Sequence, residues 1–185
     1  MTPFVPFVCL LVATGVMRLA ELAVSHRRAA KRAGDVVGEG GLFLAMAGVH
    51  VGLVVLPILE VVVLDRRFDV GFALAVGTAF GCVTAVRAWT LGHIGRAWNV
   101  RILPPERVAT TGPYRWIRHP NYLVVILEIA LLPLLHGAWL TSATLTVANA
   151  GVLVRRIRNE EAELSRNPIW RAHFEHKARL LPGVW

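Results

Sequence analysis

The sequence predicts an all-α integral membrane protein of about five transmembrane helices with a cytoplasmic C-terminal helix. Three observations predict it. Charged residues are only 17% of the 185 residues and hydrophobic residues are 55%, where a soluble domain carries about 25% charged residues. The mean hydropathy is +0.55. The apolar residues are gathered into long runs, and the basic residues into the segments between alternate runs. The length suits one domain over 1–185, with three spans in 1–91 and a motif, a helical hairpin and a polar tail in 92–185.

The first run, Phe4–Val24, is long enough to cross about 30 Å of hydrocarbon at about 1.5 Å per residue. It lacks the basic start and small-residue cleavage site of a secretory signal, so a retained span is expected. Arg18 and Glu21 share a helix face within it. They read either as an interfacial ion pair or as a contact that packs against other spans and helps close the site. The loop His26–Arg32 then carries four Lys/Arg, which marks the cytoplasmic side. Gly34, Gly38, Gly40 and Gly41 follow with no Gly-Lys-Ser/Thr, which reads as a linker rather than a phosphate loop.

The second run, Gly41–Leu64, is interrupted by His50 and Glu60. Each is costly in lipid and is expected to face the bundle interior or the interface. Asp65-Arg66-Arg67 makes a turn. In the third run, Val70–Leu91, Gly77 and Gly81 form a small-xxx-small pair for close helix approach. Arg87 and Trp89 near its end suit snorkelling and an aromatic belt. Gly92–Asn121 is a long polar segment. The fourth run, Tyr122–Trp139, is broken by Pro133 and His136-Gly137, and Leu140–Val154 forms the fifth. Both are short, which predicts a tight helical hairpin. The tail Arg155–Trp185 is polar and is expected to be mostly helical.

Charge asymmetry sets the orientation. The loop after the first run, residues 92–121 and the tail together hold sixteen of the 20 Lys/Arg, whereas the opposite side has only Arg66 and Arg67. Five spans with the N-terminus outside and the C-terminus in the cytoplasm satisfy every segment. The net charge of +8 then answers to anionic lipid headgroups. Groove-reading motifs are missing, so no nucleic-acid partner is expected. Cys9 and Cys82 lie inside apolar runs, as small core or lipid-facing residues rather than a disulfide or a nucleophile.

Two polar clusters carry the candidate chemistry. In Gly112–Tyr122, Pro113 and Pro120 fix φ and push the residues before them toward extended backbone. Arg115, Arg118 and His119 therefore form a shaped polar mouth where a helix enters the membrane. The second cluster is Arg155–Glu161. One hairpin separates the two, and a hairpin returns the chain to the same face, so they can be neighbours. One offers cationic and aromatic groups and the other two carboxylates beside arginines, which suits a zwitterionic ligand with an aromatic end. Glu160 and Glu161 diverge by about 100° on a helix, so they serve separate partners rather than one acid/base dyad. Arg156 and Glu161 stand five apart, a looser pairing. His173 and His176 have metal-like spacing but no third ligand, so no metal is expected. Trp89, Trp98, Trp116, Trp139 and Trp170 read as interfacial anchors.

Taken together, Gly112-Pro113-Tyr114, Arg118-His119-Pro120-x-Tyr122, the later Arg156…Glu160-Glu161 and the closing Arg179-Leu180-Leu181-Pro182 resemble the isoprenylcysteine carboxyl methyltransferase family. The related phospholipid methyltransferases share the Arg-His-Pro and Glu-Glu elements. Leu91-Gly92-x-x-Gly95-x-x-Trp98 looks like that family's approach to the motif, and Arg18-Leu19-Ala20-Glu21 with its basic loop looks like the small bacterial branch. The resemblance covers roughly residues 91–182. It implies an integral-membrane methyltransferase of the bacterial plasma membrane that uses S-adenosylmethionine, with a lipophilic acceptor arriving from the bilayer. It places Tyr114, Arg118, His119, Pro120, Tyr122, Leu123 and Glu160 at the cofactor, and Arg156 and Glu161 at the acceptor's reacting group. The acceptor is a prenylated cysteine carboxylate or a hydroxyl of a lipid polyketide such as an alkylpyrone or alkylresorcinol. No Gly-x-Gly-x-x-Gly on a strand is present, which excludes the soluble dinucleotide-type methyltransferase architecture. Two readings from other classes remain open at this point: an NADPH-dependent membrane sterol-type reductase, and a non-catalytic membrane scaffold or transporter.

Overall fold

A computed structural model describes residues 3–30, 41–102 and 108–181, apart from the side chain of Arg96. The glycine-rich linker through Gly40, the segment from Leu103 to Arg107 and Pro182 lie outside the described residues. Six α-helices and two short 3₁₀ turns make up the described chain. They are α1 (Phe4–Ala29), α2 (Leu42–Val63), α3 (Val70–Ile94), α4 (Pro120–Leu134), α5 (Trp139–Leu164) and α6 (Pro168–Phe174). The turns are Gly95–Ala97 and Gly112–Arg115.

Helices α1, α2 and α3 are each long and apolar enough to cross a membrane. In their most apolar windows only 17%, 17% and 11% of residues are buried inside the protein. Leu19, Leu44, Val63 and Leu74 all lie open on the outer surface. A soluble domain does not expose a continuous apolar surface of this kind, so hydrocarbon covers it. Cys9 and Cys82 are also exposed there. Helix α4 is apolar but short, and α5 is amphipathic.

α3 packs on α4, α4 on α5, α5 on α2 and α2 on α1. The core beneath holds Leu11, Leu53, Ile129, Leu132 and Leu145. Gly15 lets α2 approach α1, since a Cβ there would lie 3.1 Å from Val54 Cγ2. Gly52 does the same for α5, with Leu145 Cδ2 at 3.2 Å. Of the expected small-residue pair, a Cβ at Gly77 would lie 3.6 Å from Leu135, just past the end of α4, while Gly81 faces open space.

α4 and α5 form the expected hairpin. Its turn is made just after Leu134 ends α4, where Gly137 takes φ +71. His136 is buried there against the rings of Phe4, Phe7 and Phe68. α5 begins without a capping side chain of its own. Glu60 supplies one from α2, accepting from the backbone N–H groups of Leu140 and Thr141 at 3.2 and 2.6 Å. A carboxylate suits orphan N–H groups at a helix start. Arg66 pairs with the same carboxylate at 2.8 Å. Helix α5 does not stop at Val154 but runs on to Leu164, so Arg155–Glu161 lies within its last three turns rather than in a separate tail helix.

Arg87 does not snorkel. It is buried, donating to Glu21 at 2.8 Å and to Glu128 at 3.3 Å. Arg18 also bonds Glu128, and pairs with Glu21 at 3.0 Å. Side chains of α1, α3 and α4 thus meet in a four-charge cluster of zero net charge. Cancellation is what makes the cluster tolerable in low dielectric, where a lone charge at the centre of a span costs about 3 kcal/mol on insertion scales.

Candidate active site

The site is assembled from four segments. The first is the loop that opens at Gly112. Its φ is +58, and a Cβ there would sit 2.5 Å from His93 Cγ. Both the backbone and the close approach of α3 require glycine. Pro113 then starts the short turn that buries Tyr114 against Trp170 and Phe174. Ile94, Val108, Ala109 and Leu164 surround this aromatic cluster. Burial, together with the charge of Glu160, pushes the Tyr114 phenol well above its ordinary value, so it stays neutral. Trp89 and Trp116 stack edge to face at 5.7 Å and are exposed, whereas Trp170, expected as an interfacial anchor, is buried in the aromatic cluster.

The second segment is the Arg118-His119-Pro120 turn, which is bound to the C-terminal stretch. The Arg118 N–H donates to Ala178 O at 3.0 Å and the His119 N–H to Arg179 O at 2.9 Å. The Arg118 guanidinium donates to the carbonyls of Lys177 and Glu175 at 2.7 and 2.8 Å. Pro120 is the first residue of α4, where its missing N–H costs nothing.

The third segment is the end of α5. The two glutamates diverge as the helix geometry demands. Glu160 accepts from the Tyr122 hydroxyl. Glu161 faces three nitrogen-bearing side chains: His119 Nε2 at 3.1 Å, Arg118 Nη1 at 3.3 Å and Arg179 Nε at 2.9 Å. Burial alone would raise the Glu161 carboxyl, but the hydrogen bonds from His119 and Arg179 and the charge of Arg118 outweigh it and hold it at about 2. Arg156 does not pair with Glu161. Its Nε donates to Tyr122 Oη at 2.8 Å, and its Nη2 to the carbonyl of Val100.

The fourth segment carries that carbonyl. Asn99 and Val100 are hooked to the inner end of α1 through Ser25, with Val100 N–H donating to Ser25 Oγ at 2.9 Å and Ser25 Oγ to Asn99 Oδ1 at 2.7 Å. Ser25 is fully buried by this contact.

These segments enclose one cavity of about 610 Å³. Its polar end is walled by Tyr114, Arg118, His119, Tyr122, Arg156 and Glu160. Its other end runs between α1 and α2, past Val12, Val16, Val51 and Val55. Six of the nine residues expected at the site therefore share one space. Pro120, Leu123 and Glu161 do not line it. Pro120 shapes the turn, and Glu161 stands behind the wall, holding His119 and Arg118 in place. Among the described residues no group of three His, Cys, Asp or Glu is placed to hold a metal ion.

A model of the isoprenylcysteine carboxyl methyltransferase family matches residues 75–166. A relative from Bacillus subtilis (strain 168), the uncharacterized protein YpbQ, is 34% identical over 153 residues, which cover 80% of this chain and 90% of that protein. The chain belongs to the isoprenylcysteine carboxyl methyltransferase family. Membership brings a membrane methyltransferase kind of activity directed at carboxyl groups. The matched residues span α3, the aromatic loop, the hairpin and the end of α5, which are the elements that wall the polar end of the cavity.

Sequence reasoning gave no site role to Glu128, Asn149 or Asn121. Glu128 carried the same signal as Glu60, an acid inside an apolar run. Asn149 stands seven residues before Arg156, hence on the same helix face. Asn121 lines the cavity with its buried Oδ1 lacking a donor among the described residues.

Proposed function

We propose that the protein is an integral-membrane methyltransferase. It takes its methyl group from S-adenosylmethionine and transfers it to the carboxylate or hydroxyl of a lipophilic acceptor. The acceptor is isoprenylcysteine-like, or a lipid polyketide such as an alkylpyrone or alkylresorcinol. The observation that carries this reading is the cavity itself: one end is aromatic and charged, the other is apolar and lies among spans.

The residues present fit the cofactor's parts. The Tyr114, Trp170 and Phe174 rings suit a purine. Glu160 in the wall suits an ammonium, and Arg118 a carboxylate. The buried Asn121 oxygen has room for a donor. The Tyr122 ring offers a π face, already occupied on one side by Arg156 at 5.9 Å, and π faces suit a sulfonium. S-adenosylmethionine supplies a methyl group already activated on sulfur, so no protein nucleophile is required.

The protein's part is then positioning, which can supply about 7–11 kcal/mol when the reacting atoms are aligned. Arg156 is held from both sides by Tyr122 and Val100, and from there it orients an acceptor carboxylate, which is ionised and needs no base. A hydroxyl acceptor needs one, and His119 is the titratable group in the wall. Glu161 keeps the His119 ring in register, and it acts through that ring and Arg118.

The arrangement in the membrane is five spans, α1 to α5, with the N-terminus outside and the C-terminal helix in the cytoplasm of a bacterial cell. Sixteen of the 20 basic residues then lie on the cytoplasmic side, along with the polar end of the cavity.

The test is methyl transfer from labelled S-adenosylmethionine to a membrane lipid extract by detergent-purified protein, with mass spectrometry of the product. One lipid class gaining a methyl group is expected. Binding of NADPH in place of S-adenosylmethionine, with no transfer, would overturn the reading in favour of a reductase.

A further inference from the structure

Helix α5 presents Asn149, Leu153, Arg156 and Glu160 in one line along the cavity. Asn149 lies two turns back from Arg156, about 10 Å along the axis and on the membrane side. It is 2% exposed, and no group among the described residues accepts from its side-chain nitrogen. A carboxamide buried without partners is destabilising unless something else meets it.

The same level of the cavity carries other polar groups. Helices α2 and α5 run antiparallel with Gly52 against Leu145, which sets Asn149 level with residue 48 and within about 3 Å of His50 along the axis. Gly15 against Val54 sets Arg18 level with residue 51 in the same way. His50 lines the cavity, and its Nδ1 is engaged with Met46 O at 2.8 Å. Its Nε2 is therefore the acceptor of the neutral ring. The Nε atoms of Arg18 and Arg87, whose side chains also line the cavity, are buried with no acceptor among the described residues. The charges at this level cancel within the Arg18, Glu21, Arg87 and Glu128 cluster. The level as a whole is polar but neutral, so it suits an uncharged oxygen rather than a second anion.

We propose that this level is a second binding station for the acceptor. A hydroxyl carried within the acceptor's lipophilic part, about 10 Å from the group held at Arg156, donates to His50 Nε2 and accepts from Asn149 Nδ2. The acceptor class is then an oxygenated lipid rather than one with a plain hydrocarbon tail. The identity of the reacting end rests on the methyltransferase reading, whereas the station itself does not.

The probes are stearate and stearate bearing one mid-chain hydroxyl. Each is titrated against the purified full-length protein without cofactor, and affinity is read from the rise in unfolding midpoint. Wild type is expected to bind the hydroxylated probe about tenfold more tightly. Asn149→Leu is expected to erase the difference and His50→Phe to reduce it. Asn149→Ser, which keeps a polar group in a smaller volume, is expected to retain part of it and decides the matter if the leucine variant does not fold. Equal binding of both probes by wild type overturns the proposal, as does an equal loss for both probes in Asn149→Leu. A parallel assay of methyl transfer from S-adenosylmethionine to a membrane lipid extract separates the two readings. Discrimination between the probes without transfer to the extract leaves the station standing and sinks the enzyme, whereas transfer without discrimination does the reverse.

Discussion

The Nε of Arg156 lies 2.8 Å from the hydroxyl of Tyr122 across the two helices of the hairpin, and the same hydroxyl donates to Glu160. One phenol of α4 thus fixes a cation and an anion that stand one turn apart on α5. Tyr122→Phe removes both contacts and leaves two charged groups short of a partner, at about 1–3 kcal/mol. The expected result is a fall of about ten- to hundredfold in methyl-transfer kcat/KM, with insertion and folding retained. A variant within twofold of wild type would show that the phenol holds neither group for the reaction.

Glu161 anchors the wall that carries His119 and Arg118. Glu161→Gln keeps the shape and removes the charge facing His119, Arg118 and Arg179, so the unfolding free energy should drop by about 1–3 kcal/mol and activity by at least about tenfold. The pH dependence has a definite sign. The carboxyl sits at about 2 in the folded protein against 4.5 ordinarily. Its contribution is complete above 4.5 and is lost as pH falls through 2. Between those values the wild-type midpoint should fall more steeply than that of Glu161→Gln, and parallel curves would assign the acid sensitivity elsewhere.

Gly112 and His93 should show coupling. Gly112→Ala places a methyl 2.5 Å from the imidazole on a backbone of φ +58. A destabilisation of about 2–4 kcal/mol is expected from overpacking and the unfavourable φ together. His93→Ala should relieve the first part but not the second, giving a favourable interaction energy of about 1–3 kcal/mol in a double-mutant cycle. Strict additivity would mean the loop moves away from α3 at no cost.

Breaking the intramembrane charge cluster should cost more than deleting it. Glu128→Ala leaves Arg18 and Arg87 to share Glu21 alone, with one buried positive charge uncompensated, and is expected to destabilise by about 3–5 kcal/mol. Changing all four members to apolar residues of similar volume should come within about 1–2 kcal/mol of wild type, read by thermal unfolding in detergent.

Orientation is checked by labelling. With Cys9 and Cys82 replaced by serine, a cysteine at Gly38 is expected to react with a membrane-impermeant maleimide only after the cells are opened. Reaction in intact cells would invert the topology.

The runs of apolar residues placed α1, α2 and α3 to within about five residues, since lipid exposure demands continuous hydrophobicity. The divergence of Glu160 and Glu161 was legible from helix geometry alone. So was the nearness of the two polar clusters, because a hairpin returns to its own starting face, though not that they meet through His119 and Glu161. The length of α5 was not legible. Hydropathy ends at Val154, but backbone hydrogen bonding continues through charged residues that have helix-forming side chains. Arg87 was misread because a snorkelling arginine and a buried, paired one look alike until the partner is known, and Glu128 lies 41 residues away. Arg118 shows the same limit: its sequence neighbours suggest a ligand contact, whereas its guanidinium also fastens the carbonyls of a distant segment.

The intramembrane cluster also bears on biosynthesis. Arg18 and Glu21 emerge from the ribosome long before Arg87 and Glu128 do. Until α3 and α4 arrive, the first helix has only its own (i, i+3) pair to mask two ionised groups from the acyl chains. A nascent chain interrupted between α1 and α4 would therefore be poorly held in the bilayer, and membrane quality-control proteases should clear such fragments faster than the finished protein.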